Sequence, residues 1–199
     1  VDFIFYPCMS YNADEGQSDN HYNCPVVAYY PELLKANNDK LNDDNFIMPY
    51  LDINIKKHVA KAMARALSKY NITAKQVLGV LNKAYSEQVR YHRDIEAKAQ
   101  GQKIIVLAGR PYHIDPEINH GIHKLIASLG FAVITEDSVA MKVDTPPLDV
   151  LNQWTYHSRL YRAAEYVCEN DDMQLVQLVS FGCGIDAVTT DEVRAILEE

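Results

Sequence analysis

Lys103-Ile104-Ile105-Val106-Leu107-Ala108-Gly109-Arg110-Pro111 is the stretch on which the fold turns. After one lysine it runs apolar without a break to Ala108. That is the pattern of a strand covered on both faces, as in a parallel sheet. The strand then gives way to glycine, arginine and proline, a turn that leaves its carboxyl end. Asp115 as N-cap and Pro116 at the first helical position predict a helix that Gly130 stops. Phe131 to Thr135 reads as the next strand. A loop with Pro146 and Pro147 leads into a helix from about Asn152 to Glu169. Gln174 to Ser180 is a further strand, and Thr189 with Glu192 forms a capping box that predicts the last helix. The order β-α-β-α-β-α implies parallel pairing with right-handed crossovers.

Toward the N-terminus the pattern is looser. Residues 2–6 read as a short buried strand, followed by a polar loop from Ser10 to Asn23. A helix is predicted from Pro25 to about Ala36, and Phe46-Ile47-Met48 as a strand stopped by Pro49. Ile55, Val59, Met63, Ala66 and Tyr70 repeat at helical spacing. Thr73 and Gln76 form a capping box that opens a second long helix, striped by Val77, Leu81, Ala84, Gln88, Tyr91 and Ile95. The stripes predict core positions in a helical hairpin. The expectation is α/β: a Rossmann-like parallel sheet with helices on both faces. A long helical hairpin (about 52–100) separates an N-terminal half, 1–101, from a C-terminal half, 102–199.

The chain has 199 residues, 48% of them hydrophobic, enough to build a core. Its formal net charge of -8 argues against nucleic-acid binding, which needs a basic face. No apolar run reaches the roughly 20 residues of a membrane span. Four cysteines with no CxxC pair are not a disulfide framework, which predicts a reducing, cytoplasmic setting. A start at Val1 rather than Met reads as a piece of a longer protein.

Three cysteines fall near predicted element ends. Cys8 follows the first strand, Cys24 precedes the helix at Pro25, and Cys183 sits between Gly182 and Gly184 after the last strand. Ligands bind beyond the carboxyl ends of parallel strands, and helix N-termini favour thiolates. Together the three suit a metal or an iron–sulfur cluster better than a disulfide. Zinc with His21 or His113 as fourth ligand is the competing reading, but structural zinc sites use close-spaced pairs. Cys168, inside a helical pattern with Leu160 and Ala164, reads as core. Arg110 at a strand end is placed to clamp a phosphate or carboxylate, helped by the dipole of the helix at Pro116. His120 and His123 share a face of that helix if it forms, with His113 in the loop before it.

Several stretches resemble a known family: Tyr6-Pro7-Cys8, Asn23-Cys24-Pro25-Val26-Val27 with Tyr30-Pro31-Glu32, the run from Gly109 to Gly121, and Ser180 to Ala187. They resemble the dehydratase-like region of the large activases of CoA-substrate-specific enzymes, which is similar to 2-hydroxyacyl-CoA dehydratase subunits. The resemblance runs from about Phe3 to Glu199. It implies a [4Fe–4S] cluster on Cys8, Cys24 and Cys183, in a system of anaerobic metabolism that dehydrates 2-hydroxyacyl-CoA by radical chemistry. It further implies an ATPase portion or separate activator as electron donor, a CoA thioester or other small molecule near Arg110, Tyr112, His113 and His120, and a homodimer. Whether this portion catalyses, hands on electrons, or only keeps the fold as a scaffold or regulatory module stays open at this stage.

Overall fold

A computed structural model describes residues 2–99, 101–180 and 182–198, without the side chains of 96–98. The described residues form a mixed α/β chain with seven α-helices and short parallel sheets. They divide into two compact units. One comprises residues 1–16 and 20–88, the other 17–19 and 89–199.

In the first unit, β1 (Ile4–Phe5) pairs in parallel with β3 (Phe46–Ile47), and β2 (Cys8–Tyr11) with β4 (Tyr50–Asp52). Pro7 and Pro49 split each line of chain, because proline has no N–H to give a ladder. The amide of Cys8 donates to the Pro49 carbonyl at 2.9 Å. Cys8 therefore opens a strand, whereas the sequence reading put it in a loop beyond one. Helix α1 (Pro25–Ala36) has the predicted bounds, with Cys24 as N-cap residue and Pro25 behind it.

Helices α2 (Lys56–Ala66) and α3 (Ala74–Ala99) follow. The predicted capping box is present: the Gln76 amide donates to Thr73 Oγ1, and the Thr73 amide donates to Gln76 Oε1. The expected core stripe of α3 is not a core stripe. Val77 is buried at its start, but Ala84, Gln88 and Tyr91 are exposed. The helical period is right and the burial is not, since a polar helix can stand on its own hydrogen bonds and i,i+4 pairs.

In the second unit, β5 (Ile104–Ala108) lies between β6 (Ala132–Thr135) and β7 (Met173–Gln177), all parallel. β5 is buried along its whole length, as its sequence predicts. Ile104 and Val106 pack with Ala163 and Val167 of α6 (Thr155–Cys168), and Ala108 with Val193 and Ile196 of α7 (Gly184–Glu198). Ile105 and Leu107 pack instead with Ile126 of α4 (Ile122–Ser128). The period of two thus sends alternate residues of one strand to helices on opposite faces.

Two helix starts differ from expectation. α4 begins at Ile122 rather than Pro116, because His120 and Gly121 both take positive φ (51° and 82°) and break any helix there. Asp115 Oδ1 accepts the Glu117 amide in a local turn instead of capping a helix. α7 begins at Gly184, five residues before the predicted cap. Thr189 is an interior residue whose hydroxyl donates back to the Ile185 carbonyl at 2.8 Å. A short helix, α5 (Glu136–Val139), follows β6 directly.

Residues 17–19 act as a strap on the second unit. The Gln17 carbonyl accepts hydrogen bonds from Thr145 Oγ1, Asn152 Nδ2 and Ser158 Oγ. Asp19 and Asn152 exchange two more, Asp19 N–H to the Asn152 carbonyl and Asn152 N–H to Asp19 Oδ2. No described helix is long and apolar enough to cross a membrane.

Candidate functional site

The second unit's sheet reverses strand order at β5, since β6 lies on one side and β7 on the other. Ligand crevices form at the carboxyl ends of strands at such a reversal. The turn after β5 brings Gly109 to His113 there, and the segment after β7 brings Ser180 and Cys183. Phe181 of the same segment, and Glu199 at the chain's end, lie outside the described residues.

Arg110 organises the site. Its Nε and Nη2 donate to Asp186 Oδ1 at 2.9 and 2.6 Å, and Nη2 also donates to Cys183 Sγ at 2.7 Å. The two charged side chains are only 13% and 7% exposed, so the pair is buried. The Cys183 carbonyl accepts the amides of Asp186 and Ala187 at the start of α7. Partial burial works against ionising the Cys183 thiol, but the Arg110 hydrogen bond and the amides of Asp186 and Ile185 outweigh it. The thiol lies below its ordinary value of 9.0. Gly182 takes a φ of 81°, and no heavy atom lies within 4 Å of where a Cβ would stand on it or on Gly184.

A second group borders it. The Arg110 amide donates to His113 Nδ1 at 3.2 Å, which places the ring proton on Nε2. His113 then donates to Ser180 Oγ at 2.6 Å, and Ser180 meets the Tyr112 hydroxyl at 2.7 Å. Burial lowers the His113 pKa, with the Arg110 charge adding to it and Asp186 and the Leu178 carbonyl opposing. A neutral histidine that donates to a serine cannot also take its proton, so this is not a nucleophilic serine pair. Gly109 makes the arrangement possible. A Cβ there would stand 3.0 Å from His113 Cβ and 3.2 Å from the Leu178 carbonyl. Gly109→Ala should therefore push the ring off Ser180 and cost about 1–3 kcal/mol of stability. Urea unfolding of the two proteins checks this, and equal midpoints would refute it.

Two groups went unnoticed in the sequence. Asp186 lies three residues after Cys183, a spacing that puts both on one helical face and would have suggested a link. His157, in α6, has a side chain 5% exposed, with Nε2 3.9 Å from Asp186 Oδ1. Neither ring nitrogen has a hydrogen-bond partner among the described residues. Burial and the nearby Arg110 charge push its pKa down to about 4, against Asp186. No sequence signal marks it, because a histidine within an amphipathic helix reads as filler. Glu136, the first residue after β6, is 2% exposed, and its Oε2 also lacks a partner among the described residues.

Cys8 and Cys24 belong to the first unit. Cys8 is wholly buried, and burial raises its thiol pKa, with the Glu32 amide opposing and the Glu32 charge adding. Cys24 is half-buried at the start of α1, and its side chain makes no cap hydrogen bond. His120 is exposed and outside any helix, so it does not share a helical face with His123. His123 Nδ1 instead pairs with Asn119 Oδ1 at 3.0 Å. His21 stacks by Tyr11, ring centroids 5.4 Å apart. Cys168, expected in the core, is exposed because it is the last residue of α6, where the helix leaves its packed face. Among the described residues, no three His, Cys, Asp or Glu side chains stand as a metal-holding group.

The chain matches no curated protein and no solved structure. A family model described as CoA enzyme activase uncharacterised domain (DUF2229) matches residues 1–139, a span that includes Arg110, Tyr112 and His113 and ends before Cys183. With more than half its length matched, and with the run from Gly109 to Gly121 inside that span, the chain belongs to this CoA enzyme activase domain family.

Proposed function

We propose that the chain is the iron–sulfur, electron-handling module of a CoA enzyme activase system, built on a Rossmann-like frame. The observation that carries this is the Cys183 sulfur, which accepts from Arg110 and has its thiol pKa lowered by that bond and the first amides of α7. Its donor chemistry suits one ligand of a thiolate-ligated cluster: a sulfur whose pKa lies below its usual value, backbone N–H groups around it, and glycines on either side. Cys24 fits as a second donor, half-buried and uncapped at a helix start. Cys8 is wholly enclosed, which does not favour it as a donor. A [4Fe–4S] cluster, when bound, would supply a one-electron store.

The chain's own residues do the rest. Arg110 and the Ile185 and Asp186 amides hold negative charge on the ligand sulfur. Asp186 keeps the guanidinium in place, and His113, Ser180 and Tyr112 form a neutral hydrogen-bonded wall. A CoA thioester or other small molecule would approach along that wall. The electron donor would be an ATPase portion or separate activator.

Anaerobic reconstitution with iron and sulfide tests the reading. A brown colour with broad visible absorbance should appear, fall sharply in Cys183→Ala, and persist in Cys168→Ala. The enclosure of Cys8 favours a second reading, a scaffold or regulatory module that keeps a dehydratase-like fold without a cluster. A reconstituted protein that stays colourless would decide for it.

A further inference from the structure

We propose that β7 is an open sheet edge at which a second copy of this chain pairs, strand against strand and antiparallel, about a two-fold axis. The second unit's sheet has the order β6-β5-β7, and β7 pairs with β5 alone among the described residues. The Leu178 amide donates to the Ala108 carbonyl at 2.7 Å, and the Ile104 amide donates to the Asp172 carbonyl at 2.9 Å. Asp172, Gln174, Val176 and Leu178 therefore turn their backbone groups toward β5. Leu175 and Gln177 alternate with them and turn theirs to the open side. An added strand bonds to such groups.

Sheet edges that stay single are blunted by lysine, proline or a bulge. β7 has none of these. Met173 to Val179 holds no charged residue and no proline, and its register with β5 runs without a shift. One face is uncovered as well. Gln174 and Val176 align with Ile105 and Leu107, which pack with Ile126 of α4. Yet α4 lies toward β6, and both β7 residues are exposed. Parallel sheets are ordinarily covered on both faces.

A second copy fits this edge in charge and in size. With Val176 on the two-fold axis, Leu175 meets Gln177 of the partner subunit, and their amides and carbonyls bond reciprocally. Asp172 then meets Ser180 of the partner subunit, so no like charges face each other. The strand is about 20 Å long at about 3.3 Å per residue. That gives a small interface, at the low end of the stable range near about 1,200 Å² in total. The pairing is accordingly weak, micromolar to millimolar. It involves neither Arg110 nor Cys183.

Sedimentation equilibrium on the 199-residue chain tests this, between about 1 µM and about 1 mM. The mass should climb from 22.6 kDa toward twice that value. The Leu175 and Gln177 amides should exchange with solvent more slowly as it climbs. Gln177→Pro removes an outward donor and leaves the β5 ladder whole. Val176→Lys sets two like charges across the axis. Each should weaken association at least about tenfold at an unchanged urea midpoint, and the lysine variant serves if the proline variant does not fold. Leu129→Lys, at the exposed end of α4, should pair as the wild type does. A wild-type chain that keeps its 22.6 kDa at the highest concentration overturns the second copy as occupant and leaves the edge to a strand of another polypeptide. Dimers that survive both edge variants, or that Leu129→Lys abolishes, put the interface elsewhere and overturn it too.

Discussion

Replacing Asp186 by alanine should destabilise the second unit by about 3–5 kcal/mol. The carboxylate accepts two bonds from a guanidinium that is itself only 13% exposed. Without it, Arg110 keeps its charge, loses its counter-charge, and has only the Cys183 sulfur left. Breaking such a pair costs far more than the pair contributes when intact, because one ion remains buried without compensation. The double change Arg110→Met with Asp186→Leu should therefore recover much of the loss. Denaturant unfolding of the single and double variants makes the comparison. A double variant as unstable as the two single losses added together would show that the pair is not coupled.

Glu136→Gln should act in the opposite direction, raising stability by about 3 kcal/mol at pH 7. Burial, helped by the Asp137 charge, pushes the Glu136 carboxyl from 4.5 up to about 8, against its own amide and Arg159. A folded pKa above the unfolded one means that the contribution is complete below about pH 4.5 and drains away as pH rises to about 8. Glutamine is neutral at every pH, so it removes that loss. The gain should be near zero at pH 4.5, grow through neutrality and level off above pH 8. His157 has the reverse sign: a folded pKa pushed from 6.5 down to about 4 costs stability as pH falls through that interval. Urea midpoints for wild type and Glu136→Gln across this range test it. Parallel curves would mean that Glu136 does not hold its proton.

Where sequence and structure agree, a local signal and its tertiary setting point the same way. The bounds of α1 follow from Pro25 at its start, and β5 follows from an apolar run with no polar gap. Where they part, a local signal was outvoted. Asp115-Pro116 has the form of a helix start, but the backbone five residues on turns left-handed at His120 and Gly121. Thr189 and Glu192 have the spacing of a capping box, but Thr189 is wholly buried inside α7. That error hid the most useful fact about Cys183, its place directly before the first residue of a helix. Arg110 was legible as a strand-end cation, and its contact with Cys183 was not, since 73 residues separate them. Burial in α3 was unreadable for a different reason: periodicity reports which residues share a face, not whether anything covers it.

The strap at residues 17–19 has a consequence in time. Its hydrogen-bond partners Asn152 and Ser158 stand 135 and 141 residues further along the chain. At ribosomal rates of about 5–20 residues per second, the strap waits on the order of ten seconds for them. During that interval Gln17 has nothing to hold, while the first unit's own residues, through 88, have already emerged. The second unit can close only after most of these 199 residues have been made. A ribosome paused before Asn152 would carry a half-formed domain whose earliest piece is still loose.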